Sequence, residues 1–100
     1  MKQSQNCQNI QDIREAIDLL DRDIIDKLAI RLEYVQAAAK FKKDIQDVKA
    51  KERFNSMLQE RRIWAVENNL NPDFIEQLYR DIVNYFINTE LQHWQDHNFS

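Results

Sequence analysis

The chain has 100 residues, 43% of them hydrophobic and 31% charged, a balance that suits one soluble domain and holds no run near the ~18 consecutive apolar residues of a membrane-spanning helix. Fourteen Lys and Arg stand against seventeen Asp and Glu for a net charge of −3, with the two signs interspersed, so nucleic-acid binding through counterion release is not expected. Glycine is absent and cysteine occurs once; sheets, hairpins and phosphate loops all draw on glycine, so the chain reads as all-α, and a disulfide within it is excluded.

The opening MKQSQNCQNI has no apolar run, so neither a signal peptide nor a lipid anchor is indicated and a cytoplasmic location is expected. Ile10, Ile13, Ile17, Leu20, Ile24 and Leu28 then recur at steps of three and four, and Leu32, Val35, Ala38 or Ala39, and Phe41 extend the stripe with no Pro or Gly to break it. This predicts one long N-terminal helix over 10–43, with Asn9 as N-cap and Asp12 at the third position. At about 1.5 Å per residue it is a rod of roughly 50 Å, against a radius of gyration of about 13 Å for a compact chain of this length. The remaining residues cannot cover such a stripe from end to end, so a second copy is expected to cover the rest.

Residues 43–51, KDIQDVKAK, lose the period and are dense in charge, which predicts a mobile connection able to act as a lid. Phe54, Met57, Leu58, Arg61, Trp64 and Ala65 mark a second helix over 51–68, closed by Asn68 and Asn69, where Asn takes the left-handed position usually given to glycine. Asn71, Pro72 and Asp73 read as N-cap and first two positions of a third helix over 72–95. Its apolar stripe runs through Phe74, Ile75, Leu78, Tyr79, Ile82, Val83, Phe86 and Ile87 toward Trp94, after which QDHNFS is polar and expected to fray. The three helices are read as one domain over 1–100.

Charged residues on the apolar faces are the candidates for chemistry. Arg31, Val35, Ala38 and Lys42 fall at i, i+4, i+7 and i+11, and eleven residues return to the same helix face within about 20°. Ala37, Ala38 and Ala39 leave a hollow beneath two cationic arms about 16 Å apart at their Cα atoms, room for a small dianion. Taken alone, the stripe also fits cations that are solvated or paired with Glu33 and Asp44. Arg14 precedes Arg31 by seventeen residues, roughly 25 Å along the rod and about 100° around it, so one helix cannot aim both at a small ligand. Two long helices paired antiparallel bring Arg14 of one chain toward Arg31 and Lys42 of the other, giving two equivalent composite pockets; a surface pair with Glu15 or Asp18 is the plainer alternative.

Glu90 continues the steps of four from Leu78, Ile82 and Phe86, which points its carboxyl toward the core; a helix-end Glu that faces water is the equal alternative. Burial favours its neutral form and a nearby Lys the charged one. Arg53, beside the connection, offers a further cation. His93 and His97 supply two ligands where zinc takes three or four, so no metal is expected. Cys7 has no base beside it, and Tyr34, Tyr79 and Tyr85 are read as packing residues.

A three-helix chain with Arg14, Arg31, Lys42 and Arg53 at these spacings resembles the all-α, intertwined homodimeric chorismate mutase family over about residues 10–94. The segments DIREAID, EYVQAAAKFK, KERF and ERRIWAVENNL and the C-terminal HW are most similar to the isochorismate pyruvate lyases of that class, which make salicylate for siderophores. The resemblance implies a dianionic substrate, isochorismate or chorismate, and no cofactor. It implies that Arg14 of one subunit and Arg31 of the other hold the carboxylates, that Arg53 adds a contact, and that Lys42 meets the ether oxygen, with Val35, Ala38 and Phe86 against the substrate and Glu90 a second catalytic group.

Two departures bear on the choice of reaction. Mutases of this class usually carry acidic residues near the positions of Ala50 and Phe54, and this chain has none there, which favours the lyase. At Glu90 both lyases and bacterial mutases typically carry Gln, whose amide donates at any pH; a carboxyl donates only when protonated. The alternatives are a chorismate mutase and a non-catalytic helical dimerisation module.

Overall fold

Helix caps made by asparagine set the start of two of the helices in a computed structural model of the protein, which describes residues 3–41 and 51–99, with the backbone alone at 51, 52, 93, 94 and 96–99. Among the described residues all regular structure is helical: a 3-10 turn Ser4–Asn6, helix α1 Ile10–Ala38, a 3-10 turn Ala39–Phe41, helix α2 Lys51–Glu67 and helix α3 Pro72–Phe99. The chain divides into two compact units, Met1–Tyr34 and Val35–Ser100. No helix among the described residues is long and apolar enough to cross a membrane.

The first unit is built on α1. Asn9 Oδ1 accepts from the backbone N–H of Asp12 at 2.9 Å, and Asp12 Oδ2 accepts from that of Gln8 at 3.1 Å, a reciprocal cap that satisfies donors the helix start leaves open. Ile10, Ile13, Ile17, Leu20 and Ile24 all lie exposed, and α1 contains no buried residue. A helix draws most of its stability from packing its apolar face, and among the described residues these side chains of α1 stay exposed.

In the second unit α2 packs on α3. Met57, Leu58 and Val83 form the buried centre, with Phe54, Tyr79 and Ile87 packed around it. The steps 54, 58, 61 and 65 on α2 and 76, 79, 83, 86 and 90 on α3 bring one face of each helix inward. The hairpin between them closes in a Schellman arrangement: Asn69 takes φ 60°, Leu70 N–H donates to Ala65 O at 2.8 Å and Asn69 N–H to Val66 O at 3.1 Å. Asn71 Oδ1 then accepts from the N–H of Asp73 at 2.8 Å and caps α3. The 3-10 turn Ala39–Phe41 also packs on α3, with Ala39 buried.

Three expectations change. The first helix was expected to reach residue 43, but α-helical winding stops at Ala38 and a 3-10 turn follows; such turns are common at helix ends because i→i+3 bonds take up carbonyls left without α-helical partners. QDHNFS was expected to fray, yet α3 runs on to Phe99, since no Pro or Gly after Trp94 interrupts the backbone ladder. Of the three tyrosines Tyr79 packs on the buried cluster; Tyr85 is exposed but sets its ring 5.7 Å from that of Phe86, and Tyr34 is exposed.

Candidate functional site

Arg14 and Arg31 both belong to the first unit. Arg14 is exposed and Arg31 half-buried, and the regular winding of α1 between them keeps them roughly 25 Å apart along the axis. The single chain therefore does not bring these two guanidinium groups to one small ligand.

The second unit holds Val35, Ala38, Arg53, Phe86 and Glu90. Val35 and Ala38, both half-buried, occupy the last turns of α1, just before the buried Ala39. Arg53 is exposed in the first turn of α2, beside the half-buried Phe54. Phe86 and Glu90 sit one turn apart on α3 and are each 5% exposed. Burial rises along their stripe, from exposed Leu78 through half-buried Ile82 to these two, so the carboxyl lies at the buried end. Its Oε2 atom is shut off from solvent. A carboxyl so enclosed acts as an acceptor when ionised and as a donor when protonated.

Lys42 and residues 43–50 of the expected lid lie outside the described residues; Lys51 opens α2. The eleven-residue return from Arg31 assumes α-helical winding, which ends at Ala38. His93 and His97 lie on α3, with side chains outside the described set.

Sequence reasoning missed a set of arginines on the α2–α3 hairpin. Arg61, at 17% side-chain exposure, lies over the rings of Trp64 at 4.6 Å and Tyr79 at 5.6 Å, so a position on the apolar stripe is filled by a guanidinium in contact with two aromatic rings. Arg62 Nη1 contacts Asp73 at 2.9 Å and Glu76 at 3.1 Å. The hydrogen bond to Asp73 is the main cause that holds the Arg62 pKa above its ordinary value, with Glu76 assisting. Arg80 reaches Glu76 at 3.0 Å, and that pair had a sequence signal in its i, i+4 spacing.

Residues 13–91 match the family model described as chorismate mutase type II. The chain is 41% identical over 95 residues to the isochorismate pyruvate lyase of Pseudomonas aeruginosa, covering 95% of this chain and 94% of that protein. It is 39% identical over 72 residues to the T-protein of Haemophilus influenzae, covering 71% of this chain and 19% of that much longer protein.

Proposed function

The chain belongs to the chorismate mutase type II family, and from that membership we propose that it is an isochorismate pyruvate lyase, converting isochorismate to salicylate and pyruvate, with weak chorismate mutase activity beside it. The observation that carries the choice is the 41% identity to the Pseudomonas aeruginosa lyase, which runs along nearly the whole of both chains. The family description favours the second reading, rearrangement of chorismate to prephenate. A non-catalytic dimerisation module is the remaining alternative.

In the lyase reaction the ether C–O bond breaks as a ring hydrogen moves to the methylene carbon of the enolpyruvyl group, leaving an aromatic ring and pyruvate. The step is concerted and uses no nucleophile, so the protein contributes positioning and electrostatics. Arg14, Arg31 and Arg53 clamp the two carboxylates in a reactive conformer, and a bidentate guanidinium fork suits that task. Lys42 meets the negative charge that builds on the ether oxygen, and the buried carboxyl of Glu90 donates to it when protonated. Val35, Ala38 and Phe86 give the ring an apolar surface. No cofactor or metal enters this scheme.

The working unit is a homodimer with shared sites, in which Arg14 of one subunit serves the pocket holding Arg31 of the other. The exposed isoleucine and leucine stripe of α1 supports this, since a bare apolar helix face of this length calls for a partner. The chain is read as one domain over 1–100 acting in the cytoplasm, in salicylate supply for siderophores.

A paired assay on one purified sample tests the reading: salicylate and pyruvate from isochorismate, and separately prephenate from chorismate. Salicylate formed with much the higher kcat/KM supports the lyase. The reverse order assigns the mutase, and turnover of neither substrate leaves the dimerisation module.

A further inference from the structure

A chain of polar contacts links the hairpin turn to the start of α2. Arg62 Nη1 donates to Asp73 Oδ1 at 2.9 Å and to Glu76 Oε1 at 3.1 Å. The other carboxylate oxygen of Glu76, Oε2, accepts from Arg80 Nε at 3.1 Å and lies 3.0 Å from Arg80 Nη2. With its guanidinium fixed on that side, Arg80 sets its central carbon 5.6 Å from the centre of the Phe54 ring. Glu76 is only 25% exposed at its side chain, Arg62 31% and Arg80 43%, so the link is partly sheltered from the solvent that weakens exposed ion pairs.

Phe54 is the first apolar anchor of α2. Its ring packs against the buried cluster of Met57, Leu58 and Val83 and carries Arg80 over its face. The first turn of any helix is its least secured part, since its leading N–H groups have no intrahelical acceptor. Arg53 stands one residue before Phe54, about 100° around the axis, and is exposed. The direction in which Arg53 projects therefore depends on how firmly Phe54 is seated.

We infer that Arg80 is a positioning residue for Arg53: clamped by Glu76 and stacked on Phe54, it holds the first turn of α2 at the orientation from which Arg53 meets a substrate carboxylate. The inference rests on the proposed reading of Arg53 as a substrate contact. A planar guanidinium is needed, because it forks onto a carboxylate and stacks on a ring at once, which an ammonium does not.

The test is a double-mutant cycle on isochorismate turnover, joined to amide exchange. Arg80→Ala raises KM by about two- to fivefold, the scale of one partly exposed cation–π contact, and leaves kcat in place. In an Arg53→Ala background the same change has no further effect, because the group it positions is gone. Arg80→Lys keeps the charge and recovers only part of the KM. Exchange at the amides of Asn55, Ser56 and Met57, which close the first turn, speeds up in Arg80→Ala, while exchange along the rest of α2 is unchanged. An equal KM penalty with and without Arg53 overturns the inference, as does unchanged exchange in the first turn. A parent protein that turns over neither isochorismate nor chorismate overturns the reading of the site and with it the role of Arg53, while the exchange arm still reports whether Arg80 clamps the helix start.

Discussion

Phe86 and Glu90 stand one turn apart on α3 and are equally buried, each at 5% exposure. A carboxyl thus occupies a place on the helix where the preceding turn carries a phenyl ring. Carboxyl groups seldom sit so deep, and in the proposed reaction Phe86 is given the part of an apolar wall and Glu90 that of a donor to the ether oxygen.

The donor role makes the rate depend on pH in a defined direction. The protonated carboxyl donates and the carboxylate does not, so kcat falls as pH rises through the titration of Glu90 in the complex. Glu90→Gln donates at any pH and flattens that limb. The check is kcat of both proteins between about pH 5 and about pH 8; superimposable profiles remove Glu90 as the titrating donor.

Lys42→Ala lowers kcat by about 10²-fold or more, the loss expected when one aimed electrostatic group is taken from a transition state that develops charge. Single-turnover rates at saturating substrate read this directly. A variant with near-parental kcat takes Lys42 out of the mechanism.

The proposed shared pockets predict complementation between two inactive proteins. Arg14→Ala and Arg31→Ala each disable both sites of their own homodimer. Unfolded together in equal amounts and refolded, half of the dimers are mixed, and each of these holds one site with both arginines intact. Activity returns to about a quarter of the parental value. Mixtures that stay as inactive as the separate variants show that the two arginines act from the same chain or not at all.

Stability is concentrated in the second unit. Leu58, 1% exposed, loses packing on every side when cut back, so Leu58→Ala costs about 2–5 kcal/mol. Asn71→Ala removes the acceptor for the N–H of Asp73 and costs about 1 kcal/mol. Denaturant titrations at one fixed protein concentration measure both, because in the proposed homodimer linkage to a second copy makes the midpoint depend on concentration. An equal cost for the two changes contradicts the packing described for Leu58.

Features that depend on residues within a few positions of one another were legible in the amino-acid order. The caps at Asn9 and Asn71 and the left-handed Asn69 are of this kind, since a side chain and the backbone groups it reaches lie within one turn. The inward course of the α3 stripe toward Glu90 was legible too, because a step of four keeps residues on one face. The end of α1 was not. The turn that follows Ala38 packs on α3 with Ala39 buried, a contact between residues far apart in the chain that the order of letters does not display.

The arginines divide along the same line. Arg53, Arg61, Arg62 and Arg80 are alike as letters in helical stretches, and periodicity says only which face each one occupies. That Arg61 of α2 reaches the Tyr79 ring, and that Arg80 of α3 reaches the Phe54 ring, was decided by the crossing of α2 and α3. The amino-acid sequence by itself determined the helical class and the caps, set by local backbone preference and the helical repeat, while it left Glu90 open between an interior and a water-facing place that the fold resolved to the interior. The tertiary structure decided the engagements that cross from one helix to the other, Arg61 with Tyr79, Arg62 with Asp73 and Glu76, and Arg80 with Phe54, because those partners are set by what another helix presents.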